Sequence, residues 1–205
     1  MPRPRHLIVT AVCMVGWSLA LGPVAAAAQP LDTAGAVACE VRGFAIDRDP
    51  KGTNVRSAPR VNAPIIGHLV PMIRIDKDEY SGVEFDIVGF KDGWFLIKNG
   101  SDDGLKLDAA HAGDGRGWIS ARLVSVQLRV VALRAAPRRD APEVAHLRGE
   151  NWGPDSGAVS AVHACQGPYM EVTTIPYGSK TVVRGWSYKP CSLQLTTCDG
   201  GLTEP

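Results

Sequence analysis

Residues 54–69 read NVRSAPRVNAPIIGHL and residues 132–147 read ALRAAPRRDAPEVAHL. Set over one another without a gap, Arg, Ala, Pro, Arg, Ala, Pro, His and Leu coincide, eight matches in sixteen positions. Average residue usage would give roughly one. A repeat at a fixed offset, here 78 residues, is the sequence feature that most narrows the fold, because each copy must build the same local structure. The offset is long enough for a small β unit and its connections.

The local pattern around each copy is β. In EFDIVGFKDGWFLIKNG, Phe85 and Ile87 alternate with Asp86 and Val88, Lys91-Asp92-Gly93 supplies turn chemistry, and Trp94 to Ile97 returns. Two short apolar runs about an Asp-Gly predict a hairpin. GWISARLVSVQL adds two more short runs joined by a segment able to form one helical turn. No long stretch after residue 30 carries apolar residues at helical spacing, and prolines are scattered as they are between strands. Both copies continue alike. Arg116-Gly117-Trp118 answers Arg184-Gly185-Trp186, and Leu123 to Leu128 answers Ser192 to Leu195. Val55 and Leu133 should point inward, with Pro59 and Pro137 ending their strands. Ile66 with Leu69, and Val144 with Leu147, should form the next apolar patch. A glycine before each tryptophan implies close backbone approach beside a large side chain.

The N-terminus reads as a secretory signal peptide over residues 1–28. Arg3 and Arg5 precede the uncharged LIVTAVCMVGWSLALG, and PVAAAA supplies small residues for cleavage after Ala28. About 177 residues then remain. Removing Arg3 and Arg5 takes Lys+Arg from 22 to 20 against 21 Asp+Glu, so the formal charge moves from +1 to −1. A near-neutral chain argues against nucleic acid as partner, since phosphate binding needs a basic face, which net charge leaves only to local patches. After cleavage no membrane insertion is expected, and the chain should be periplasmic or secreted. Cys39, Cys165, Cys191 and Cys198 survive cleavage. An even count in an oxidising compartment predicts two disulfides, with three pairings open. No C-x-x-C exists, and no metal site or cofactor is expected.

The order of these pieces resembles the bacterial SH3 (SH3b) domain family. Val55-Arg56-Ser57-Ala58-Pro59 and Ile66-Gly67-His68-Leu69 are similar to its opening segment, Gly93-Trp94-Phe95-Leu96-Ile97 to its hairpin, and Gly117-Trp118-Ile119 to its close. The second copy departs at Ala135, and Tyr169 stands roughly where Trp94 does. The resemblance implies an all-β chain of two tandem small SH3-like barrels: an N-terminal segment at 29–39, barrels at 40–128 and 129–198, and a tail at 199–205. It further implies a binding module of the cell envelope, with peptidoglycan peptides as the usual partner. Two stretches exceed the family pattern: the acidic, glycine-rich 99–115, with Asp102, Asp103, Asp108 and Asp114, and the insertion at 148–163. The first lacks calcium-loop spacing and reads as a solvated hairpin extension.

No catalytic set emerges. His163 and Cys165 share a strand face, so a Cys–His pair is geometrically conceivable, but oxidation of Cys165 is expected to remove it. Glu84 and Asp86 read as a solvated edge, and the repeated His68 and His146 as structural places. Binding remains. Trp94, Tyr80, Arg56 and Tyr169 are the candidate ligand contacts, with 99–115 at the rim. Trp118 and Trp186 read as core plugs. Arg56 could hold a ligand carboxylate or bridge to an acidic neighbour. The expectation is a non-catalytic envelope protein holding a peptidoglycan peptide or an envelope protein. The alternative is an inhibitor or immunity-type protein that plugs a cell-wall enzyme with its inserted loops.

Overall fold

The computed structural model describes residues 29–147, 157–195 and 198. The expected signal peptide, residues 148–156 of the second insertion and the tail at 199–205 lie outside them. The chain is all-β. Its strands are β1 (Val37–Ala45), β2 (Thr53–Arg56), β3 (Ile65–Leu69), β4 (Ile73–Arg74), β5 (Tyr80–Ser81), β6 (Glu84–Lys91), β7 (Trp94–Lys98), β8 (Leu105–Leu107), β9 (Arg116–Ser120), β10 (Val124–Ser125), β11 (Ala132–Arg134), β12 (Glu143–His146), β13 (Gly157–Gln166), β14 (Tyr169–Pro176) and β15 (Val183–Tyr188). The expected hairpin is β6–β7. It closes through Asp92 (φ 50°) and Gly93 (φ 79°), the two positive-φ residues of a type I′ turn. The expected helical turn is a 3-10 turn at Ala121–Leu123.

Eight strands form one antiparallel sheet in the order β10-β1-β6-β7-β9-β2-β3-β8, five form a second in the order β12-β11-β15-β14-β13, and β4–β5 stand as a separate hairpin. Within the first sheet the run β6-β7-β9-β2-β3 has the same succession as β13-β14-β15-β11-β12. The sequence repeat is therefore also a repeat of strand order. It extends to individual bonds. Ser57 N–H donates to the Pro64 carbonyl and Ala135 N–H to the Pro142 carbonyl; Ala63 donates to Arg60 and Ala141 to Arg138. Arg56 pairs with Trp118 across the ladder, and Arg134 with Trp186. Val55 and Leu133 are fully buried, as the alternation requires. A Cβ on Gly117 would lie 2.2 Å from Val55 Cγ1, and one on Gly185 3.0 Å from Leu133 Cβ.

The two halves differ at their edges. In the first sheet β8 runs beside β3, and Asp108 N–H continues the pairing to the Ile66 carbonyl. Ile66 is buried there. No strand lies beyond β12 among the described residues, and Val144, expected in the second apolar patch, is 46% exposed. The 99–115 stretch is thus in part an edge strand rather than a solvated extension. Residues 157–163 of the second expected insertion form the first part of β13. Residue 40, where the first unit was expected to begin, falls inside β1. Glu84 and Asp86 sit on an interior strand, not an edge. Arg42 approaches both, at 3.9 and 3.4 Å, and Ser192 Oγ donates to Glu84 at 2.8 Å.

The buried apolar residues of both sheets form one connected cluster, from Val41, Phe85 and Ile119 to Leu133, Met170 and Val172. The disulfides are Cys39–Cys165, which joins β1 to β13, and Cys191–Cys198. Such bonds form in oxidising surroundings. Among the described residues no helix is long and apolar enough to cross a membrane.

Candidate functional site

Ladder register explains where the aromatic residues end up. Arg56 faces Trp118 and Trp94 faces Ser120, while Trp118 and Ser120 lie two apart on β9. All four side chains therefore leave one face of the sheet. Across the middle of that face runs the segment before β1. Trp118 Nε1 donates to the Asp32 carbonyl at 2.8 Å, Asp32 N–H to the Ser57 carbonyl at 2.8 Å, and Lys91 Nζ to the Ala34 carbonyl at 2.6 Å. His111 holds the start of the segment, with Nε2 2.8 Å from the Gln29 carbonyl and Nδ1 2.7 Å from Asp108 Oδ1. Trp118 is consequently buried completely, with its indole N–H satisfied.

Beside this strap the face stays open. Trp94, Arg56, Ser120 and Arg122 line a cleft of about 450 Å³ together with Asp47, Asp49 and Asp92. The 46–52 turn, which supplies Asp47 and Asp49, is held by its own side chains. Asp47 Oδ1 accepts from Asp49 N–H at 3.0 Å and its Oδ2 from Thr53 Oγ1 at 3.1 Å; Asp49 Oδ1 accepts from Lys51 N–H at 2.9 Å. Gly52 closes the turn at φ 78°, where a Cβ would lie 2.0 Å from the Leu69 carbonyl oxygen. Arg56 Nη1 donates to the Ala63 carbonyl at 2.8 Å, so the guanidinium is tethered to backbone instead of to an acid. The cleft thus offers a half-buried indole, two cations and three carboxylates within one concavity. That set can hold a small molecule or peptide carrying both charges along an apolar edge.

Two of the four residues singled out in the sequence, Trp94 and Arg56, share this cleft. Tyr80 lines a neighbouring depression with Pro50, Pro71 and Met72, and Arg48 lies 4.8 Å above its ring. Asp49 lines both concavities. Tyr169 occupies the ladder position of Trp94, since it faces Tyr188 two residues past Trp186 as Trp94 faces Ser120 two past Trp118. Yet Tyr169 is only 7% exposed. Tyr188 stands where the first unit has Ser120 and packs against it, rings 5.3 Å apart, with Val130 and Trp186 completing the cluster. The second unit fills the space that the first leaves open. No residue of 99–115 lines the Trp94 cleft.

These carboxylates and Arg122 were not singled out from sequence. The Asp-x-Asp-Pro-Lys-Gly spacing at 47–52 was the available signal, since Asx turns fix such loops. Cys165 is consumed by its disulfide, so the conceivable Cys–His pair has no thiol. His163 instead lies 2.7 Å from Thr173 Oγ1, and burial together with Arg184 lowers its pKa against the pull of Glu171. No metal-holding cluster exists among the described residues. Set beside known proteins, the chain matches no family model, no curated protein and no solved structure.

Proposed function

We propose that the chain is a non-catalytic, exported cell-envelope binding protein made of two SH3b-like barrels, the first of which holds a peptidoglycan peptide in the Trp94–Arg56 cleft. The observation that carries this reading is the convergence of Trp94 and Arg56, chosen on motif grounds from two distant stretches, on one open concavity. The repeated strand order and the repeated Arg–Trp pairing support the tandem-unit part. The charge set supports the ligand part: a peptidoglycan stem peptide presents carboxylates to Arg56 and Arg122, ammonium to Asp47, Asp49 and Asp92, and methyl groups to the indole. The test is binding of isolated stem peptides, by calorimetry, to the parent and to Trp94→Ala and Arg56→Ala. The indole variant should lose about 2 kcal/mol or more of binding. Absence of binding by the parent, or parental affinity in both variants, overturns the reading.

A further inference from the structure

After β15 the chain runs on outside any strand, and its side chains alternate with the polar ones turned inward. Ser192 and Gln194 point at the body of the protein, while Leu193 and Leu195, 37% and 53% exposed, point away. The polar pair is fully engaged. Gln194 Oε1 accepts from Gly82 N–H at 2.9 Å and its Nε2 donates to the Gly82 carbonyl at 2.8 Å, so one side-chain amide reproduces both bonds of a ladder pair. Ser192 Oγ donates to Glu84. Gly82 has no room for a side chain, since its Cβ would lie 2.0 Å from the Ala45 carbonyl oxygen. A half-buried segment ordinarily buries its apolar side chains and exposes its polar ones. Here the polar face is clamped inward at a residue 112 positions away, and the leucines are held out.

They are held beside a groove. Leu193, Leu195, Pro71, Ile73 and the buried Val83 together line a concavity of about 440 Å³. Ile73 is 61% exposed. The ionisable residues lining the groove are Glu84 and Asp102, both acidic. Arg42 partly offsets Glu84 at 3.9 Å, but Asp102 and its neighbour Asp103 have no ion pair among the described residues. A contiguous apolar surface of this kind with a rim of one charge sign fits a partner of matching pattern.

We propose that this groove is a docking surface for an extended, basic segment of a partner protein, with apolar side chains seated among Ile73, Leu193 and Leu195 and its Lys or Arg residues facing Asp102, Asp103 and Glu84. The surface is separate from the Trp94 cleft, and neither reading depends on the other.

The test uses a fluorescein-labelled hexapeptide of alternating Lys and Leu, titrated with the full mature protein and read by anisotropy. Controls replace every Lys by Glu or every Leu by Ala. The Lys–Leu peptide should bind and the two controls should not, with binding that weakens as salt is raised. Asp102→Asn with Asp103→Asn keeps residues that tolerate their positive φ of 49° and 53°. It should weaken binding roughly three- to tenfold at low salt. Leu193→Ser with Leu195→Ser, and separately Ile73→Ser, should each weaken it about tenfold. All of these side chains are exposed, and a thermal melt of each variant checks that it is folded. Equal binding of the Glu–Leu peptide, or parental affinity in the folded variants, overturns the proposal, as does absence of binding. A dimer of the protein that Leu195→Ser dissociates, with no peptide binding, assigns the groove to a second copy and overturns it equally.

Discussion

Cys39 and Cys165 are 126 residues apart and joined by a disulfide, which ties β1 of the larger sheet to the edge strand β13 of the smaller one. The bond is reinforced by backbone: Glu40 N–H donates to the Gly167 carbonyl and Gly167 N–H to that of Ala38. In chain-entropy terms a loop of this size is worth about 5 kcal/mol, and the seven-residue separation of Cys191–Cys198 about 2.5 kcal/mol. Replacing Cys39 and Cys165 by Ser should therefore lower stability roughly twice as much as replacing Cys191 and Cys198. Denaturant titration of the two double variants measures the difference. Equal losses would mean that the long bond does not constrain the unfolded chain.

The two equivalent glycines should not be equally sensitive. A methyl at Gly117 would lie 2.2 Å from Cγ1 of Val55, a fully buried side chain with nowhere to turn. At Gly185 its nearest atom, 2.7 Å away, is Cγ2 of Val144, which is 46% exposed and free to rotate, although Leu133 Cβ follows at 3.0 Å. Gly117→Ala should cost about 1–3 kcal/mol, and Gly185→Ala should fall near the lower limit of that range. Thermal melts of the two single variants check the order.

What could be seen in the sequence was local. The hairpin at Asp92-Gly93 follows from turn chemistry, and the inward Val55 and Leu133 from strand alternation. The glycines at 117 and 185 follow from a small residue beside Trp. Each needs only its neighbours. The half-buried Trp94 beside Arg56 was legible because the motif that suggested both also fixes their strands. Other features depend on partners far along the chain. The strap over Trp118 comes from Asp32, 86 residues earlier, and the Gln194 clamp reaches Gly82. Neither leaves a periodic signature, because one rests on backbone carbonyls and the other on a single amide. Tyr169 stands where Trp94 does in the ladder, as the repeat implies. Its burial is decided by Tyr188, which stands where the first unit has Ser120, and that packing shows only once the ladder is assembled. Disulfide pairing is likewise a property of the assembled sheets.

The strap should be sensitive to pH. The Gln29 carbonyl, then the Asp108 side chain, and more weakly Asp114, raise the pKa of His111 above its ordinary 6.5, outweighing the opposing effect of burial. A raised folded value means that the protonated form is bound more tightly in the folded chain. That stabilisation is complete below the unfolded value near 6.5 and is lost as pH climbs through the raised folded value. Asp108, held down chiefly by its hydrogen bond to His111, remains ionised across that window. The melting temperature of the parent should fall relative to His111→Gln as pH rises from 5.5 to 8. A constant difference across the range would remove His111 as the titrating group.

The chain between the two repeats should resist proteolysis. Val126, Leu128 and Val130 are 1%, 0% and 6% exposed, and Gln127 exchanges two backbone bonds with Cys191. A protease needs a segment that can open locally, and this one is anchored in the common core. The exposed tip at 76–79 and the turn at 112–116 carry no such burial. Limited digestion should cut at those places before 125–131. A first cut inside 125–131 would show that the two halves are joined by a free linker.

The difference between the two units should be transferable by a single exchange. Trp94 is open because its ladder partner is Ser120, and Tyr169 is closed because its partner is Tyr188. Placing a large ring at residue 120 should fill the first cleft from within. Ser120→Tyr puts that ring on an already half-exposed position, so stability should change by less than about 1.5 kcal/mol. Trp94→Ala removes a half-buried ring and should cost less stability than Trp118→Ala, for which about 3–5 kcal/mol is expected from loss of a fully buried indole. If the cleft binds the stem peptide, Ser120→Tyr and Trp94→Ala abolish or weaken binding for opposite reasons, one by occupying the space and the other by removing its wall. Calorimetric titration and thermal melts on the same preparations separate these effects from unfolding. A folded Ser120→Tyr protein that binds as tightly as the parent would place the ligand elsewhere.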